Sequence, residues 1–527
     1  MSVEGGAVGG GSVDGHSVDG HCLDALLTGA ARRHGERVAI RDDERDHTFV
    51  GLDRAVDQVA ARLDSLGVQP GDRVAVRMSN RVELPLAVLA LSRVGAVAVM
   101  VSPAWKQREV RHALDLTGAR RALVDRDDDG ELAEHLGTDA VHDVTGWSEP
   151  TEGRSASPRA PAAAASDDVV LVFSSGTTGL PKAVRHTHAS LSAATQHWVD
   201  ALGLTDEDRF QISTPPSHIL GLLNLLAAFH AGATVRLHRR FDIDRELAAI
   251  ESDRLTLEMA VAPIVLAIAQ HPALDRFDLS SLRYIMWGAT PVTPSVAEAV
   301  TARTGVPILA AYGASEVPVL AVNPVGRPGE WRLDSPGVPP ADVELRVVDI
   351  TTGAVVPHGA PGEIEARGPS TMAGYLPAAA DVEAFDDGWY RTGDVGTLDD
   401  RGWVRLTDRA KDLIKVNGHQ VAPAEIEAVL LGHDEVRDCA VFGVPDARTG
   451  EAPVAAVALD PAAVVDDAAL RALVEDQLAG YKRLRSVERV AAIPRLPSGK
   501  ALRRELRALW IAQHPAEGQR PAEEDPT

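Results

Sequence analysis

Apolar and polar positions exchange two periods along most of the chain. Runs such as VAIRD (38–42) and RVAVRM (73–78) are short, rich in valine and bounded by polar residues, the pattern of strands packed within a layer. Residues 53–66 return an apolar side chain every three to four positions, which predicts an amphipathic helix, and 82–94 reads as another helix. The exchange continues at DVVLVF (168–173), a strand-like run that enters a loop of small residues before the helical HASLSAATQHWV. Strand and helix in alternation predict an α/β fold in which layered sheets are flanked by helices.

The pattern lapses in three places. Residues 1–21 are rich in Gly, Ser and Val and carry SVDGH twice, so they read as a flexible tail, and the Pro- and Glu-rich 514–527 as a disordered one. The Ala/Ser/Pro-rich 151–168 reads as a surface loop. Near 408–411, in RGWVRLTDRAKD, a charged cluster separates a strand-like run from a new segment, which predicts a large domain over 22–409 and a small α+β domain over 410–513.

Composition narrows the class. The 527 residues are 45% hydrophobic and 24% charged, and no apolar run of about 18 residues offers a membrane span. A formal charge of −23 disfavours nucleic acid and anionic lipid as partners, so any polyanionic ligand needs a locally positive site. Cys22 and Cys439 are far apart in the chain and the N-terminus lacks a basic region ahead of an apolar stretch, which together predict a reducing, cytoplasmic setting. Six lysines stand against 47 arginines, so the lysines that persist draw attention, and Lys182, Lys411, Lys415, Lys482 and Lys500 all fall in strings discussed next.

SSGTTGLPK (174–182) lies between a strand-like run and a helical one. Glycine lets backbone N–H groups approach phosphate oxygens; the hydroxyls of Ser174, Ser175, Thr177 and Thr178 add donors, and Lys182 supplies charge. Taken on spacing alone, the string is equally a polar turn. It does not match GxxxxGK[ST], which disfavours a P-loop NTPase.

The string closely resembles the phosphate loop of the adenylate-forming superfamily, in its acyl-CoA synthetase and 4-coumarate:CoA ligase-like branch, and the resemblance extends in order from about residue 35 to 508. AAYGASEV (310–317) is similar to the YGxTE motif, with Ser315 in place of threonine. The resemblance implies that Ala311, Tyr312, Gly313 and Ser315 border the nucleotide, that Tyr312 stacks on adenine, and that Glu316 and Thr178 face Mg²⁺. Ser174, Ser175, Gly176, Thr177, Thr178, Gly179 and Lys182 would hold phosphate. In MWGATPV (286–292), Gly288, Ala289 and Thr290 take nucleotide-facing positions. Asp394 in GWYRTGD would accept from the ribose hydroxyls, with Arg409 as a second ribose and phosphate contact.

Lys500 in PRLPSGKALRRELR resembles the C-terminal lysine that bridges carboxylate and α-phosphate, and His218 in PPSHILGL the histidine at the mouth of the acyl pocket. A hinge at Lys411, nucleotide contacts from Lys415 and Gln420, and a pantetheine tunnel beside Asn417 and Gly418 follow from the same likeness, which makes the small domain mobile. Lys482 either holds coenzyme A phosphates or is surface charge. The implied acyl pocket is lined by His218, Leu220, Leu222, Asn224, Met286, Trp287, Val317 and Val319; Trp287 either reshapes it or is a core aromatic.

The expected reaction is ATP- and Mg²⁺-dependent conversion of a small carboxylic acid to an acyl-AMP, with pyrophosphate released, followed by transfer to coenzyme A. Lys500, His218, Glu316 and Lys182 carry it. A ligase that loads an acyl carrier protein is the main alternative; a luciferase-like oxygenase and a non-catalytic nucleotide sensor rank below it. Whether the acid is aromatic, fatty or polycyclic, and whether the chain forms a homodimer, the sequence leaves open.

Overall fold

A computed structural model describes residues 22–125, 130–147, 163–174, 181–288, 294–409, 412–416, 419–446, 448–495 and 501–514. The VAIRD run is the strand Val38–Arg41 and the RVAVRM run the strand Arg73–Arg77. The helix expected over 53–66 is Phe49–Ser65: it starts earlier because the Thr48 side chain accepts from the Gly51 N–H and caps the first turn. Its buried residues Leu52, Val56, Val59 and Leu63 recur at helical spacing. The second helix is Glu83–Arg93.

Among the described residues the strands form five sheets. The largest runs Gly374–Leu376, Lys182–Thr187, Asp168–Ser174, Val97–Met100, Arg73–Arg77, Arg121–Val124, Val141–Asp143. Its neighbours pair parallel from Asp168–Ser174 onward and antiparallel at the Lys182–Thr187 and Gly374–Leu376 edge. A four-stranded sheet orders Glu258–Val261, Ile285–Gly288, Ile308–Tyr312 and Ala321–Val322, the first three parallel. A further sheet holds Trp389–Leu398 between Gly362–Arg367 and Val404–Arg409. One large apolar core joins these layers, with Phe49, Phe210, Phe229 and Tyr284 fully enclosed.

Beyond Arg409 a separate sheet is built from His419–Val421, Ile414–Val416, Gly450–Leu459, Val436–Asp446 and Ser486–Arg489. One face packs its own core of Ile414, Val441, Val457, Leu470 and Val474; the other is covered by the helix Arg503–Gln513 through Leu506 and Trp510. The architecture is thus a large layered α/β domain followed by a small α+β one. No described helix is long and apolar enough to cross a membrane.

Candidate active site

The hairpin of Asp168–Ser174 and Lys182–Thr187 pairs Ser174 directly with Lys182, so both ends of the SSGTTGLPK loop spring from one cross-strand pair. Ser175, Gly176, Thr177, Thr178 and Gly179 lie outside the described residues. On its other edge Lys182–Thr187 pairs with Gly374–Leu376, register Val184 to Tyr375, and the Lys182 ammonium stands 5.1 Å from the centroid of the Tyr375 ring. That is within cation–π range.

Tyr312 ends its strand and Gly313 turns the chain. A Cβ on Gly313 would stand 2.1 Å from the Pro318 carbonyl oxygen, so a larger residue displaces the backbone. The return of the chain sets Ala311 opposite Val322 and Tyr312 opposite Ala321. The Tyr312 hydroxyl donates to Asp394 Oδ2 at 2.7 Å, and Asp394 pairs in register with Arg409.

Glu316 is 7% exposed. The Tyr375 hydroxyl donates to its Oε1 at 2.6 Å, and its backbone oxygen accepts from Met372 N at 2.8 Å. Burial raises the pKa of the Tyr375 and Tyr390 phenols, so both stay neutral at physiological pH. His186, fully enclosed on the strand Lys182–Thr187, bonds the Ser315 carbonyl through Nε2 at 2.7 Å and meets Ser190 Oγ through Nδ1 at 3.1 Å. Burial holds its pKa at about 4, so the ring is neutral and Nε2–H is the donor to the carbonyl. The phosphate-loop hairpin and the Tyr312–Glu316 turn are therefore tied together by His186, and both to the strand Gly374–Leu376 by Tyr375.

His218 precedes the helix Ile219–Ala231 and is half-buried, with burial pulling its pKa below the usual histidine value. Within PPSHILGL, Gly221 sits so close to the Thr214 and Pro215 carbonyl oxygens that a Cβ would approach each to 2.6 Å. Leu220 is half-buried and packs against two cores. Asn224, 1% exposed, accepts from Trp198 Nε1 through Oδ1 at 2.8 Å. Strand alternation divides the neighbours on Ile285–Gly288. Met286 joins the core that holds Leu222, Val317 and Val319, whereas Trp287, 3% exposed, joins the core of Val261, Ile264 and Val265. Gly288 faces Leu220, whose Cδ2 would lie 3.6 Å from a Cβ there, and Ala289 and Thr290 lie outside the described residues.

In the small domain Lys415 is exposed on Ile414–Val416, in register with Gln420 on His419–Val421. Lys482 is ion-paired with Glu425. Lys411, Asn417, Gly418 and Lys500 lie outside the described residues, as do the side chains of Arg409 and Gln420. The sequence reading did not single out His186, Tyr375 or Tyr390. Tyr390 stands inside the GWYRTGD string already chosen for Asp394, and Tyr375 sits in GYL, beside a strand pairing that periodicity could not reveal.

Comparison with known proteins agrees with this geometry. Residues 27–376 match the family model "AMP-binding enzyme", and 425–500 match "AMP-binding enzyme C-terminal domain". The chain is 36% identical over 502 residues to 4-coumarate–CoA ligase 2 of Oryza sativa subsp. japonica, covering 89% of this chain and 88% of that one. It is 34% identical over 489 residues to 4-coumarate:CoA ligase 1 of Petunia hybrida, covering 89% and 90%. Among solved structures, ATP-bound MatB from Rhodopseudomonas palustris superposes with a TM-score of 0.86 at 27% identity, covering 93% of this chain and 99% of that one. The amide bond synthetase McbA from Marinactinospora thermotolerans does so with a TM-score of 0.82 at 32% identity, covering 93% and 100%. With both parts of the family pattern matched in order and full-length relatives above 30% identity, the chain belongs to the AMP-binding enzyme family.

Proposed function

We propose that this chain is an AMP-forming acid:CoA ligase that takes a monocarboxylic acid with an apolar body. The observation that carries the proposal is the convergence of Lys182, Tyr312, Glu316 and Asp394, drawn from three sheets and joined by the Tyr312–Asp394 and Tyr375–Glu316 hydrogen bonds. The ligase relatives support coenzyme A as acceptor, and the apolar side chains of Leu220, Leu222, Met286, Val317 and Val319 support the apolar acid.

In the first half-reaction the substrate carboxylate attacks the α-phosphorus and pyrophosphate leaves. Two anions must meet, so Lys500 is assigned to bridge carboxylate and α-phosphate and Lys182 to the departing phosphates; preorganised charge of this kind supplies most of the stabilisation such a step needs. Asp394 accepts from the ribose. The Glu316 carboxylate is buried and accepts from the Tyr375 hydroxyl through Oε1. That fits magnesium, which is usually held by one or two carboxylates together with substrate phosphates. Glu316 and Thr178 would hold it, and when bound it would neutralise charge on the leaving pyrophosphate.

In the second half-reaction the thiol of coenzyme A attacks the acyl carbonyl and AMP leaves. His218 is assigned to take up the thiol proton, since burial favours its neutral ring, which has a free nitrogen lone pair, at the head of its helix. The boundary after Arg409 separates the domain that holds the nucleotide from the one that brings Lys500 and the pantetheine-facing Asn417 and Gly418. Incubation with Mg·ATP, coenzyme A and a panel of aromatic and aliphatic acids tests the proposal: AMP, pyrophosphate and a thioester must appear together for at least one acid.

A second reading, capture of the same adenylate by an amine, draws on the full-length likeness to an amide bond synthetase. An amine arm in the same panel separates the two, since amide formed without coenzyme A favours capture by nitrogen.

A further inference from the structure

Tyr375 touches two oppositely charged groups of the proposed site at once. Its hydroxyl donates to Glu316 Oε1 at 2.6 Å, and its ring face lies 5.1 Å from the Lys182 ammonium. Three features fix the ring. Its strand Gly374–Leu376 is zipped onto the strand that begins at Lys182. Its backbone N–H donates to Asp381 Oδ1 at 2.7 Å. Gly374 before it has a φ of +128° and comes so close to Asp381 Oδ2 that a Cβ would lie 2.6 Å away. The hydroxyl is set as well, since a phenol O–H beside a buried carboxylate can only donate to it.

We infer that Tyr375 is a positioning residue for both Glu316 and Lys182. The inference rests on the reading of Glu316 as the acid that faces the divalent cation. A carboxylate that accepts one charge-assisted hydrogen bond from a locked phenol has its rotamer chosen before any ligand arrives. The ring face meanwhile keeps the ammonium of Lys182 on the same side, so charge of each sign is preset where a metal–polyphosphate must be received.

Substitution separates the two contacts. Tyr375→Phe removes the hydroxyl and keeps the ring; Tyr375→Leu removes both. The full-length protein is titrated with Mn²⁺ in the presence of a non-hydrolysable α,β-methylene ATP analogue, with bound Mn²⁺ read by electron paramagnetic resonance. Metal-free binding of the analogue is measured by calorimetry. Loss of a group that orients a metal ligand typically weakens metal affinity about 10- to 100-fold. Tyr375→Phe is expected to fall in that range with metal-free nucleotide affinity within about twofold of wild type. Tyr375→Leu is expected to weaken metal-free binding too, because Lys182 loses its ring.

Glu316→Gln is the control that distinguishes two failures. If it lowers Mn²⁺ affinity while Tyr375→Phe does not, the positioning role is wrong. If neither variant alters Mn²⁺ affinity, the assignment of Glu316 to the metal is wrong and the inference falls with it. Equal losses of metal-bound and metal-free affinity in Tyr375→Phe would show a merely structural role and overturn the inference.

Discussion

The Tyr312 hydroxyl donates to Asp394 Oδ2 across 2.7 Å, which links the last residue of one sheet's strand to a strand of another sheet. The carboxylate proposed to receive the ribose is thus aimed by the tyrosine proposed to carry the adenine. A hydrogen bond to a charged group is worth about 1.5–3 kcal/mol. Tyr312→Phe should raise the KM for ATP by about tenfold and leave kcat near wild type, since the lost contact is present in ground and transition states alike. Initial rates at varied ATP check this; an unchanged KM would sever the link between the two residues.

Gly313→Ala should harm the same turn by a different route. The added methyl would stand 2.1 Å from a backbone oxygen, and backbone cannot swing aside as a side chain can. Overpacking of this sort costs about 1–3 kcal/mol. The melting temperature should fall and pyrophosphate release should drop more steeply than stability, because Tyr312 and Glu316 flank the displaced residue. A variant with a lowered melting temperature and wild-type activity would contradict the placement of the site.

Glu246 gives a pH prediction. It is fully buried, Ser213 Oγ donates to its Oε1, and burial, aided by Asp242, pushes its pKa up to about 7. A carboxyl whose folded pKa exceeds its unfolded value holds its stabilising proton below about 4.5 and loses that contribution as pH rises toward 7. At about 1.4 kcal/mol per pH unit the loss is at most about 3.5 kcal/mol. Glu246→Gln cannot titrate, so its stability relative to wild type should climb between pH 4.5 and 7 and then level off. Urea unfolding of both proteins at pH 5 and 7.5 measures the difference, and a pH-independent difference would be the adverse result.

How much of this was legible in the sequence depends on whether a relation is local. The strands at 38 and 73, the helix after the phosphate loop and the Tyr312–Glu316 string are set by periodicity and by contiguous residues, and they lie where the pattern puts them. The helix starting at Phe49 begins earlier than the apolar period suggests because a side-chain cap, Thr48, decides its first turn. Relations between distant segments were not legible. Tyr375 reaches Glu316 only because Gly374–Leu376 returns to pair beside Lys182, and His186 reaches Ser315 only because that hairpin abuts the turn. Met286 and Trp287 are adjacent in sequence, yet strand alternation sends them to different cores. Glu246 and Glu258 are polar residues inside the fold, and an apolar-inside pattern gives no sign of them.

Lys500→Ala should separate the two half-reactions. Removing one preorganised charge typically costs about 10²–10³ in rate. The variant should lose that much in adenylation and still convert a supplied acyl-AMP with coenzyme A at a rate near wild type. Adenylation at the wild-type rate would remove Lys500 from its assigned role.

The most direct test of the account is a single-turnover experiment with α-labelled ATP, Mg²⁺ and an acid found active in the panel, first without coenzyme A and then with it added. The account predicts labelled acyl-AMP that accumulates on the enzyme, with pyrophosphate as co-product, and that disappears into free AMP as thioester forms on addition of coenzyme A. Labelled ADP in place of acyl-AMP, or an adenylate that coenzyme A does not discharge, would contradict it.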